Sequence, residues 1–216
     1  MSAEERAPIK VSPHEVPWES ATPTKKVKRL WCDASLDRIV QLTRFEPGAI
    51  VPHHRHAGNE LIYVIEGDVT DDSGTVVAGG MSCRPTGCVH TVTSRYGSTA
   101  FAIVTGPNED PTAAGPRSVN YILSEIAWMP LGQGVHEKLV WQGRNEIPRA
   151  ALLRMEPGAT RHRERSAGTE FIFVIEGSYS GNSSVVTGDL EVLPPGSKHS
   201  MVTKNGVTFL SLSFAA

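Results

Sequence analysis

The chain carries one pattern twice, at an offset of 110 residues. Trp18 recurs as Trp128, Trp31 as Trp141, Leu42 as Leu152 and Arg44 as Arg154. Glu46-Pro-Gly-Ala49 returns as Glu156-Pro-Gly-Ala159, and the apolar run from Glu60 to Gly67 returns from Glu170 to Gly177. Toward the end of each copy the offset becomes 109, so that Gly79, Pro85, Gly87 and His90 meet Gly188, Pro194, Gly196 and His199. A self-match of this extent means two copies of one structural unit. The breaker-rich stretch 106–116 lacks apolar periodicity and marks the seam. The expected division is a first domain at residues 1–110 and a second at 111–216.

Each copy reads as strands. Segments 39–45, 61–65 and 99–104 are short, rich in β-branched and aromatic residues, and bounded by glycine or proline. No segment has the periodicity of a long helix. The 20 glycines and 15 prolines, spread along the chain, suit many strands joined by tight turns. The expected fold class is all-β, with each copy a small antiparallel barrel or sandwich.

Bulk properties exclude some partners. A net charge of -2 with 20% charged residues gives no electrostatic footprint for nucleic acid or an anionic membrane surface. No apolar run approaches the ~20 residues of a membrane-spanning helix. The first residues lack the apolar core of a signal peptide, and Cys32, Cys83 and Cys88 have no disulfide-framework spacing. A cytoplasmic location is the expectation.

The chemistry lies in the first copy. His54 and His56 alternate on one strand, which puts both on one face and His53 on the other. Glu60 opens the next apolar strand after a short turn, and His90 follows the Pro85-Thr-Gly87 turn. Imidazole and carboxylate donors suit Fe, Mn, Ni or Zn, and the absence of thiolate gives no bias toward a structural zinc site. His54, His56, Glu60 and His90 are therefore the expected ligands of one divalent metal per chain. Cys88 reads as a buried, inert thiol and Tyr63 as a packing residue.

These residues carry a family resemblance. Gly48, His54, His56, Glu60 and Gly67 match the first motif of the cupin (RmlC-like) superfamily, and Gly79, Pro85, Gly87 and His90 match the second, with Ser94 where that motif has asparagine. Both halves resemble cupin domains, so the chain looks like a bicupin. The resemblance implies two tandem jelly-roll barrels (double-stranded β-helices) with the metal in a barrel mouth. The body of each half most resembles the cupin half of ChrR-type zinc anti-sigma factors and small non-haem dioxygenases that cleave diketones and hydroxyacetophenones. The separate zinc domain of those regulators, with its His-x-x-x-Cys-x-x-Cys run, has no counterpart here.

The second copy has lost its histidines. Glu164 stands for His54 and Ser166 for His56, while Glu170 and His199 persist. Alternation puts His162 on the face of Glu164, so His162, Glu164, Glu170 and His199 form a possible second site. A degenerate barrel kept for packing and dimerisation is the favoured reading, with Arg161, Arg163 and Arg165 on a solvated face.

What the resemblance implies about function is an enzyme. Fe(II) is the expected metal, with Zn, Ni or Mn as alternatives, in a dioxygenase for a small diketone- or hydroxyketone-like substrate. The rival expectations are a stand-alone ChrR-like metal-binding sensor and an oxygen-independent cupin isomerase or lyase. A homodimer is the expected assembly.

Overall fold

A computed structural model describes residues 7–110, 114–142, 149–165 and 167–214, without the side chains of 163–165. Among these residues strands dominate, and the only helical elements are 3-10 turns at Pro13–Glu15 and Leu123–Glu125. The architecture is two tandem jelly-roll barrels: the all-β class follows the strand patterns, and the jelly-roll form is what the resemblance implies.

In the first barrel, Lys25–Asp33, Arg38–Phe45, Ser98–Thr105 and Glu60–Asp71 lie side by side, every pair antiparallel. The long strand Glu60–Asp71 serves both walls. Its first half pairs with Ser98–Thr105 and Met81–Arg84, and its second half with Gly74–Val77. Gly67 makes this change of wall possible. Its φ is +78°, and a Cβ there would sit 1.9 Å from the Gly97 carbonyl oxygen. Gly177, its partner in the repeat, is under the same constraint, with the Gly206 oxygen 2.3 Å from a built Cβ. Only glycine combines that backbone with that approach, which explains why both copies carry Ile-Glu-Gly.

Ala49–His56 pairs with Val89–Ser94 across a bulge, because Val51 faces Val92 and His54 faces His90. Pro52 and His53 therefore stand opposite Thr91 alone. The extra residue resets the alternation of faces. Val51 and His54 both line the interior despite their odd spacing, and His53 is exposed as expected.

By contact, one compact unit is Val16–Glu125, and the other joins Met1–Glu15 to Ile126–Ala216. Two short strands set these bounds. Ile9–Val11 pairs with Leu190–Leu193 of the second barrel, while Val119–Tyr121, beyond the seam, pairs with Met81–Arg84 of the first. Lys10 ties the leading strand down through an ion pair with Asp189 (3.0 Å), and Ser12 Oγ donates to the same carboxylate at 2.7 Å.

The repeated tryptophans pack under cations in the same way twice. Trp18 lies beneath Lys28 and Arg44 (5.2 and 4.4 Å to the ring centroid), and Trp128 beneath Lys138 and Arg154 (4.8 and 4.7 Å). Each contact contributes on the order of 0.5–1 kcal/mol at such sites.

The interiors differ. Where the first barrel has Val69, Val92 and Ala100, the second has Tyr179, Met201 and Phe209, all three at most 2% exposed. These bulky side chains share one apolar cluster with Leu153 and Met155. The second barrel is filled at the positions where the first is hollow.

Candidate metal centre

The hollow of the first barrel measures ≈ 450 Å³, including the space open to solvent at its mouth. Its floor is apolar, with Ile62, Val69, Val92 and Ala102, and its upper wall carries His54, His56, Glu60 and Arg84. Among the described residues, His54, His56 and His90 form the one group whose ligand atoms lie close enough to share an ion, all within 4.8 Å of one another. Their ring centroids are 4.7 to 5.0 Å apart. His56 and His90 are buried and His54 half-buried.

Hydrogen bonds at the far side of two rings settle which nitrogen faces inward. His54 Nδ1–H donates to the Pro52 carbonyl at 2.8 Å, and His90 Nδ1–H donates to Asp71 Oδ2 at 3.1 Å. Both leave Nε2 as a lone-pair donor. Burial pushes the His56 imidazole down to about 4 and lowers that of His54 as well, so both are neutral at pH 7.

The residues fit a metal ion. Nε2 of His56 and Nε2 of His90 face each other at 2.9 Å. Two imidazole nitrogens bound at ~2.1 Å and at right angles on one ion stand about 3 Å apart. The spacing thus suits adjacent positions of a six-coordinate metal, and three protein ligands leave room for exogenous oxygen donors.

Glu60 is not in that group. Its Oε2 is 3.8 Å from His56 Nε2 and is hydrogen-bonded by Arg84 Nη1. Burial by itself would raise this carboxyl, but the Arg84 charge and the His56 ring overcome it and hold it at about 2. Arg84, 4% exposed, also faces Asp71, its Nε 3.7 Å from Oδ2 and too far for a hydrogen bond. Asp71 completes the shell, since it accepts from His90 and, at 2.6 Å, from Ser118 Oγ. These bonds and the Arg84 charge keep its carboxyl well below the usual range against the opposing effect of burial. Arg84, Asp71 and Ser118 escape a motif-based reading because none is a motif position: Asp71 ends the strand that Glu60 opens, Arg84 ends Met81–Arg84, and Ser118 precedes Val119–Tyr121. The signal that could have found Arg84 is a charged residue ending the short strand Met81–Arg84, directly before the Pro85-Thr-Gly87 turn.

Cys88 is buried, its thiol pushed up by desolvation, and lies 3.7 Å from Ser118 Oγ. Tyr63 is buried packing. Both match expectation.

The possible second site does not gather among the described residues. His162 is exposed and bonded to Ser200 Oγ at 3.0 Å. Glu170 is fully buried and accepts from Ser211 Oγ at 2.6 Å, while His199 faces Glu191 at 3.2 Å. The side chain of Glu164, with Ser166, lies outside the described residues. The expected parity is also reversed: Arg161 is half-buried and His162 points out. The reason is the bulge. Here it falls between Arg163 and Arg165, and the pairs on either side of it repeat those of the first barrel, so Arg161 takes the inward place of Val51 and His162 the outward place of Pro52.

The family described as the ChrR Cupin-like domain matches residues 6–108 and again 118–213. Comparison with curated protein sequences finds no match. Among solved structures, a candidate dioxygenase from Nostoc punctiforme superimposes with a TM-score of 0.83 at 13% identity, covering 97% of this chain and 83% of that one. The oxalate decarboxylase of Lactobacillus farciminis, in a formate complex, gives 0.70 at 13% identity, covering 95% and 86%. A mutant oxalate decarboxylase from Bacillus subtilis gives 0.68 at 16%, covering 100% and 78%. At such identities the likeness is one of fold. The double family match and the two barrels identify the chain as a member of the ChrR Cupin-like domain family, with two cupin repeats.

Proposed function

We propose that the first barrel is a mononuclear non-haem Fe(II) centre acting as a dioxygenase on a small diketone- or hydroxyketone-like substrate. The observation that carries this reading is the convergence of three imidazoles, two of which line the hollow of the first barrel. A bound Fe(II) ion would supply Lewis acidity and redox chemistry toward O2.

The chain's own residues do the rest. His54, His56 and His90 would hold the ion, and Asp71 orients His90. Ile62, Val69 and Val92 keep bulk water from the floor of the hollow. Lys25, its ammonium 5.7 Å above the Phe45 ring, brings a positive charge to the same hollow as Thr43 and Asn108. That charge favours the enolate form of a 1,3-dicarbonyl compound. The second barrel, filled by Tyr179, Met201 and Phe209, serves as scaffold.

Metal analysis of the isolated protein with an oxygen electrode tests the proposal. Near one iron per chain, with O2 uptake on adding acetylacetone or a hydroxyketone, supports it. Metal-bound protein that consumes no O2 with any such compound sinks it. The family match favours one rival, a metal-dependent sensor, which binds the same compounds without turnover. Turnover without oxygen would mark an isomerase or lyase.

A cytoplasmic homodimer without nucleic-acid or membrane partners belongs to the same proposal. Met129 and Leu131, 63% and 52% exposed on the edge strand Met129–Gly132, support self-association. No helix among the described residues is long and apolar enough to cross a membrane.

A further inference from the structure

Glu60 has two claimants. The oxygen nearest the histidines, Oε2, is the one that Arg84 Nη1 holds. To join the metal through that oxygen, Glu60 would have to leave a guanidinium that is 4% exposed and has no solvent to replace it, and Glu60 offers no oxygen within 4.8 Å of all three histidine ligand atoms. Separating a buried pair in this way is strongly unfavourable, because the charge left behind stays buried. The second carboxylate near Arg84 does not relieve it: Asp71 is 3.7 Å from Nε and already accepts from His90 and Ser118.

The repeat supplies an internal comparison. Leu193 stands at the Arg84 position of the second barrel, and Glu170, the partner of Glu60, accepts from Ser211 there. The arginine is present only in the copy that has the three histidines. Its strand, Met81–Arg84, is buried at every residue, so the guanidinium is built into the wall and cannot swing out to water.

From this arrangement we propose that Arg84 withholds Glu60 from the metal and so sets the ligand count at three histidines. The carboxylate becomes an outer partner beside His56, and the position it would occupy stays open to an exogenous ligand. Arg84 is thus a positioning residue acting through Glu60. This inference rests on the reading of the first barrel as a metal centre, and the test separates the two.

The test is a double-mutant cycle read by metal binding alone. Co(II) and Zn(II) are titrated against a chromophoric chelator into the wild type, Glu60→Gln, Arg84→Met and the double variant, with thermal melts to confirm folding. In the wild-type background Glu60→Gln should change affinity by less than about threefold and leave the Co(II) visible spectrum unaltered. Arg84→Met should bind about tenfold more tightly with a changed Co(II) spectrum, and Glu60→Gln should erase that gain, a coupling expected only of residues that act on one another. If Arg84→Met fails to fold, Arg84→Lys and the single Glu60→Gln variant still decide. A tenfold or greater loss on Glu60→Gln alone would overturn the inference while leaving the metal centre intact. Failure of the wild type to bind either ion would overturn both.

Discussion

The Asp71 carboxylate accepts the Nδ1–H of His90 at 3.1 Å and is itself held by Ser118 Oγ at 2.6 Å. His90 thus presents Nε2 to the hollow in a fixed orientation, and the residue that steadies its support comes from beyond the sequence seam. Removing such an outer partner costs ~10–100-fold in metal affinity. Asp71→Asn is expected to fall in that range by competition titration, with Ser118→Ala smaller in the same direction. Unchanged affinity in both would mean that packing alone orients His90.

His54 and His90 approach from facing strands, so neither can stand in for the other. His54→Ala and His90→Ala should each bring bound metal to background in elemental analysis of the purified protein. His53→Ala, one residue away but exposed, should keep it. Wild-type stoichiometry in either of the first two variants would refute the site.

The clamp of Asp189 on the leading strand is pH-dependent. Ser12, Lys10 and the Val186 amide lower the Asp189 carboxyl against the opposing effect of burial. A depressed folded value stabilises fully above the unfolded value, near 3.8, and the contribution is lost as pH falls through the folded value. Asp189→Asn should therefore lower Tm at pH 7, and the gap to wild type should close as the pH drops below about 3.8. A gap that stays constant down to pH 2 would rule out the carboxylate as its source.

Phe209 is fully buried in the cluster that fills the second barrel. Phe209→Ala should destabilise by ~3–5 kcal/mol in denaturant unfolding. The variant should also bind apolar dyes or xenon in the new cavity, a change absent from the first-barrel variants. A loss below ~1 kcal/mol would show that this interior is loosely packed.

Legibility in the sequence followed the range of the interactions. The repeat and strand class were readable because period-two burial is local; Val89–Ser94, with His90, Val92 and Ser94 buried, shows it in six residues. The three histidines were readable because their motif spacing is itself a strand, a turn and a second hairpin. Arg84 was not, since its meaning depends on Glu60 and Asp71 lying within reach from another strand. His162 misled because parity counting assumes an unbroken ladder, and the bulge at Arg163–Arg165 breaks it. The contact boundaries at Glu15 and Glu125 escaped for a related reason. Strands of three residues, such as Ile9–Val11, carry almost no periodic signal, and their partners lie far along the chain.

The pairing of Ile9–Val11 with Leu190–Leu193 makes the first barrel, in effect, an insertion within the second. During synthesis, residues 16–125 hold everything their barrel needs and can close as soon as they are free of the ribosome. The second barrel must wait until Leu190–Leu193 and Val207–Ser213 emerge, while Ile9–Val11 is still unclaimed. The barrel that gathers the three histidines is therefore completed first, and Ile9–Val11 is secured only once Leu190–Leu193 has been made.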